Sequence, residues 1–118
     1  ASVLTLLDVA GRRVAPGQVA TGELTPADWV AGGRRVQAWA VEGEPGQALL
    51  VELLSDDFDS YLLVAGPGLG ELSDDDSGEG TNSRLCFETA ERGPYRLVAS
   101  SFGNEVGAFR LRAERRCS

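Results

Sequence analysis

The chain has 118 residues, 42% of them hydrophobic, and 18 acidic side chains against 11 basic ones give a formal net charge of -7. That size fits one domain around a single core, and the sequence contains no histidine, lysine or methionine. Ser-His-Asp and Cys-His sites, Schiff-base chemistry and P-loop lysines are therefore out of reach. Two cysteines cannot complete an all-cysteine zinc site, which leaves paired carboxylates as nearly the only common enzyme mechanism.

The first eighteen residues read as a lead-in. "ASVLTLLDVAGRR" lacks the basic start and extended apolar segment of a signal peptide, and no apolar run reaches the length of a membrane span. Short alternating segments then follow at regular intervals, each bounded by Gly, Pro, Asp or Asn. They are Val19 to Leu24, Val36 to Val41, Ala48 to Leu54, Ser60 to Gly66, Ser83 to Thr89, Tyr95 to Ser101 and Gly107 to Glu114. Segments of this length, with no helical periodicity sustained over three turns, predict an all-β chain of about eight strands in an antiparallel β-sandwich. "TPADWV" fits a single turn capped by Thr25 or Asp28.

Period-two alternation assigns the faces. Leu49, Val51 and Leu53 share one side and Glu52 the other. Phe109 and Leu111 oppose Arg110 and Arg112, and Leu85 and Phe87 oppose Cys86. Trp39, Tyr61, Phe87, Tyr95 and Phe109 read as core. Trp29 and Phe102 fall in expected loops, where each either plugs an end of the sandwich or forms a binding site. Cys86 and Cys117 are either bridged, tying the C-terminus to an inner strand, or two separate thiols.

Charge is unevenly distributed. Val36 to Ser83 holds 11 acids and no arginine, which speaks against nucleic acid as a partner. Eight of these acids lie between Asp56 and Glu79, all but Glu71 in "SDDFDSYLLV" and "LSDDDSGEGTNSR". Three uses fit them. Paired carboxylates for catalysis would need a cleft. A calcium site would draw on Asp57, Asp59, Asp74, Asp75 and Asp76, relieving the repulsion among them. From Asp75 the run D-D-S-G-E-G has the donor and glycine spacing of an EF-hand loop, although Cys86 stands where its last glutamate would be. The third use is turn chemistry, with Asp59 and Asn82 capping backbone N–H groups where strands begin.

"GEL" at Gly22, "VQAWAV" leading into "GEPGQALLVEL", "SDDFDSYLLVAGPG", "SDDDSGEGTNSRLCF" and "ERGPYRLVASSFGNEVGAFRLR" occur in this order. Together they resemble the bacterial pre-peptidase C-terminal (PPC) domain, over about Val19 to Ala113. The resemblance implies a jelly-roll-like sandwich without catalysis of its own, secreted or periplasmic. It also implies an accessory role in secretion, maturation or docking of a protease or other hydrolase. The partner is then a protein or polysaccharide surface, or a protease domain in the same chain. The alternative is a calcium-dependent carbohydrate- or protein-binding module. Collagenase-type relatives bind calcium through acids ahead of the first strand and an aspartate ahead of the second. Here "VAPGQVATGEL" lacks that cluster and Gln37 replaces that aspartate. Their outward aromatics are replaced by Arg96, Val98 and Ser100, so collagen binding is not expected.

Overall fold

In a computed structural model the described residues are 9, 11–31, 33–75, 82–101 and 105–115. Nine strands occur among them: β1 (Val19–Leu24), β2 (Trp29–Ala31), β3 (Arg34–Gly43), β4 (Gln47–Leu54), β5 (Ser60–Gly66), β6 (Gly70–Asp75), β7 (Ser83–Thr89), β8 (Gly93–Ser101) and β9 (Gly107–Glu114). The seven expected strands all form, and β2 and β6 are added to them. The expected single turn at Thr25–Asp28 forms: Asp28 N–H donates to Thr25 O, Asp28 Oδ2 accepts the Thr25 N–H at 2.8 Å, and Thr25 Oγ1 accepts the Ala27 N–H.

The strands build two antiparallel sheets, ordered β1-β9-β4-β7 and β2-β3-β8-β5-β6. Without β2, the remaining eight follow the double Greek key of a jelly roll. β2 extends the second sheet by pairing with the start of β3, Trp29 opposite Val36. Farther along that edge, Arg13 bridges Ala40 in parallel, and Arg12 Nε donates to Ala38 O at 3.0 Å. Ala38 O and both backbone groups of Ala40, left open by β2, are thereby paired on this edge of β3.

Alternation places the core as the sequence suggests. Leu49, Val51, Leu53, Leu111 and Ala113 from one sheet meet Leu62, Val64, Tyr95, Leu97 and Ala99 from the other, all fully buried. Tyr61 departs from expectation. Leu62 and Val64 take the inner face of β5, so Tyr61 points outward, half-buried beneath the Arg34 guanidinium 4.2 Å from its ring centre. Trp39 and Phe109 pack edge to face at 6.3 Å, and Phe58, absent from the expected core, meets Phe109 at 6.5 Å.

Tyr95 is the third residue of β8, after Gly93 and Pro94, and its ring is fully buried. Its hydroxyl donates to Glu91 O at 2.8 Å, with Pro67 O at 3.2 Å. The ring fits because glycines flank it: a Cβ at Gly66 would stand 2.3 Å from Tyr95 Cδ2, and one at Gly43 would stand 2.7 Å from Cε1.

Candidate functional site

Strand pairing gives the sandwich two different ends. Short turns join β3 to β4, β5 to β6 and β7 to β8 at one end. At the other gather the β1–β2, β4–β5, β6–β7 and β8–β9 connections, because Ser60 lies opposite Ser101, Tyr61 opposite Asp75 and Leu24 opposite Gly107. The described aspartates of both acidic stretches belong to this second end.

Phe58 organises the first stretch. It is 5% exposed and inserts under the loop, so the chain around it must turn its polar neighbours outward. Ser55 Oγ donates to Ala108 O at 2.7 Å and accepts the Asp57 N–H, while Asp57 Oδ2 accepts the Ala108 N–H at 2.8 Å. The close approach of Asp57 to Gly107 leaves no room for a side chain there, since a Cβ would lie 2.5 Å from Asp57 Cβ. Ser55 N–H donates to Asn82 Oδ1 at 3.0 Å, which ties this loop to the β6–β7 connection.

In the second stretch, Asp74 and Asp75 lie in β6 rather than in a loop, so the EF-hand-like run begins inside a strand. Asp74 shares the inward face with Leu72, at the sheet edge. Its Oδ2 accepts the Arg84 N–H of β7 at 2.8 Å, across the gap between the two sheets. Capping of backbone donors is thus the observed use of Asp57, Asp74 and Asn82. These caps join distant segments, whereas the sequence suggested local turns. Asp59, expected to cap the start of β5, instead has Oδ1 buried with no hydrogen-bond partner among the described residues.

Asp76 and Phe102 lie outside the described residues. Among the described residues, no three acids or cysteines form a group able to hold a metal ion. Asp56 and Asp57 border a shallow depression of about 290 Å³ shared with Thr21, Leu54 and Arg110. Cys86, on the outer face of β7, is disulfide-bonded; Cys117, the other cysteine of the sequence, lies outside the described residues.

Trp29 is not a plug. It occupies the edge strand β2 and is 74% exposed, and among the described residues Phe58 plugs the loop end. Beneath it, Gln37 faces inward. Gln37 Nε2 donates to Glu23 O at 3.0 Å and to the Asp28 carboxylate at 3.3 Å, and Gln37 Oε1 accepts Trp39 Nε1–H at 2.9 Å. On the outer face of the first sheet, Arg112 bonds Glu114 and Glu52. The hydrogen bond to Glu114, and then its charge, raise the Arg112 guanidinium above its ordinary value, so this arginine stays charged at every working pH.

Neither a family model nor a curated protein matches the chain. Solved structures do. The chain is similar to the pre-peptidase C-terminal domain of a collagenase from Bacillus anthracis, at 13% identity and a TM-score of 0.64, covering 87% of this chain and 93% of that one. It is also similar to PliG, a periplasmic inhibitor of g-type lysozyme. The Salmonella Typhimurium protein matches at 15% identity and a TM-score of 0.54, over 88% of this chain and 97% of that one. The Aeromonas hydrophila protein matches at 13% and 0.54, over 87% and 98%. At these identities the likeness is one of fold: the chain is a PPC-like jelly-roll sandwich.

Proposed function

We propose that the chain is a non-catalytic accessory domain working outside the cytoplasm, where it aids the secretion, maturation or docking of a protease or other hydrolase. The observation that carries this reading is the fit of 87% of this chain to 93% of a domain of a collagenase. The Gly93-Pro94-Tyr95 start of β8 and the DFDSYL block both act as fold-forming parts, as expected of a scaffold. The disulfide at Cys86 supports an oxidising compartment. The carboxylates Asp57 and Asp74 are engaged by backbone N–H groups, a structural use that competes with catalysis.

Fractionation of cells making the tagged chain tests the reading. The domain should appear outside the cytoplasm with Cys86 oxidised. Joined to a hydrolase, it should change export or retention on insoluble substrate while leaving turnover of a soluble substrate unchanged. A chain confined to the cytoplasm with Cys86 reduced would defeat the proposal.

A second reading is a calcium-dependent module recognising protein or carbohydrate at the loop end, with Asp57, Asp59, Asp74, Asp75 and Asp76 as donors. The unpartnered Asp59 Oδ1 favours it, and the two periplasmic inhibitors that share the fold support protein recognition. Ion binding to the folded state raises the melting temperature. Melting curves that coincide in millimolar calcium and in EDTA would end this reading.

A further inference from the structure

The two sheets present unlike faces to the outside. On the first, β4 and β9 turn Glu52, Arg110 and Arg112 outward, as a solvated face requires. On the second, the outward cross-strand rows from β3 through β8 to β5 read Val36–Ser100–Tyr61, Ala38–Val98–Leu63 and Ala40–Arg96–Ala65. The middle row is apolar throughout. Val36, Ala38 and Val98 form a second hydrophobic cluster, separate from the core between the sheets, and are 3%, 1% and 0% exposed. Burial that complete on the outward side of a two-layer sandwich calls for a third layer.

The described chain shows where that layer starts. Val9 packs against the cluster, the one hydrophobic residue from outside the strands to do so among the described residues. A fastened turn brings it there: Arg12 N–H donates to Val9 O at 2.8 Å, Arg12 Nε to Ala38 O, and Val14 N–H to Ala40 O at 3.0 Å. Residues 1–8, "ASVLTLLD", are joined directly to Val9, and four of them are Val or Leu. The three strands are about 10 Å across. Eight residues cover about 12 Å even at the rise of a helix, so the segment is long enough to cross the face. Charge points the same way. Val9 borders a depression of about 320 Å³ with Ala40, Ala65, Pro94 and two guanidinium groups, Arg13 and Arg96. Asp8, the only acidic residue ahead of Glu23, has its Cα about 3.8 Å from that of Val9. A tethered segment also outcompetes free ones, because its effective concentration is on the order of millimolar.

We propose that residues 1–8 dock on the outer face of the second sheet, their Val and Leu side chains covering Ala38 and Val98 and Asp8 lying beside Arg13 and Arg96. The lead-in is then a working part of the domain and the occupant of its one apolar outer face among the described residues. The proposal goes beyond the accessory role and does not depend on it.

Methyl NMR of the full chain tests it. The methyl groups of Val98 and Leu63 should show cross-relaxation to Leu4, Leu6 or Leu7. Residues 1–8 at random-coil shifts, with no such contact, would overturn the proposal. Contacts seen only between differently labelled molecules would assign the face to a second copy and overturn it as well. Substitutions give an independent reading. The full-length chain carrying Val3→Ser, Leu4→Ser, Leu6→Ser and Leu7→Ser together should melt about 4 °C lower or more and bind several-fold more of an apolar dye such as ANS. Val98→Ala should lower the melting temperature of the wild type at least about twice as much as that of the four-serine chain, as coupled sites require. Equal effects of Val98→Ala in the two chains, or dye binding as strong in the wild type as in the four-serine chain, would show that residues 1–8 do not cover this face and that it is open to a separate partner.

Discussion

Substituting Gly66 by alanine isolates the steric basis of the Tyr95 site. Gly66 has no left-handed backbone, so an alanine there meets no conformational objection. Its Cβ would stand 2.3, 2.8 and 2.9 Å from Cδ2, Cε2 and Cγ of the Tyr95 ring. The ring cannot swing away, because its hydroxyl is held at Glu91 O and Pro67 O and its other side faces Gly43. The end of β5 must therefore shift, at a cost of about 2–3 kcal/mol for an overpacked core site. For a domain of this size that lowers the melting temperature by roughly 6–15 °C. Urea unfolding and calorimetry would measure the loss, with the unfolding slope unchanged. Adding Tyr95→Leu should recover part of the Gly66→Ala penalty in a double-mutant cycle. Gly70→Asn, at φ 75° with no atom within 4 Å of its Cβ, should cost little. A melting temperature within about 2 °C of wild type for Gly66→Ala, or no coupling to Tyr95→Leu, would refute the steric argument.

Three further outcomes follow from packing and bonding elsewhere. Phe58→Ala should cost about 3–4 kcal/mol in chemical denaturation, since it empties the space beneath the acidic loop beside Phe109. Gln37→Leu should cost about 1–3 kcal/mol by stranding Trp39 Nε1–H and Glu23 O, with a near-ultraviolet dichroism change at Trp39 as its signature. Cys117 is the expected partner of Cys86, closing a loop of about thirty residues; Cys86→Ser should then lower stability by about 3–4 kcal/mol. Non-reducing peptide mapping would show the bridge directly.

Strands with one hydrophobic face were readable because period two marks them without ambiguity. Leu49, Val51 and Leu53 inward against Glu52 is such a case, and so is Phe109 and Leu111 against Arg110. Where a strand is apolar on both faces the signal disappears. Leu62, Leu63 and Val64 in succession hide the fact that Tyr61 points outward. β6 carries a single large apolar side chain, Leu72, among residues that favour turns; it forms because the Pro67–Leu69 turn closes a hairpin onto β5. β2 is too short for any periodicity. The acidic residues were visible at once, but their bonds were not, because Asp57 to Ala108 and Asn82 to Ser55 join segments 51 and 27 positions apart. Phe58 was masked by the aspartates around it, although one large apolar residue inside a charged turn is itself a sign of a buried anchor.

Gln37, Ser60 and Asp74 are among the side chains that cross between the sheets at the loop end. Gln37 reaches from β3 to Glu23 O on β1 along one seam, and Asp74 reaches from β6 to the Arg84 N–H on β7 along the other. Each layer is therefore clasped to its partner at both margins just where the connections leave it. Apart from anchors such as Phe58 and Asp28, residues between the strands can be exchanged or recharged with little penalty to the layers below, so one frame can carry many different recognition tasks.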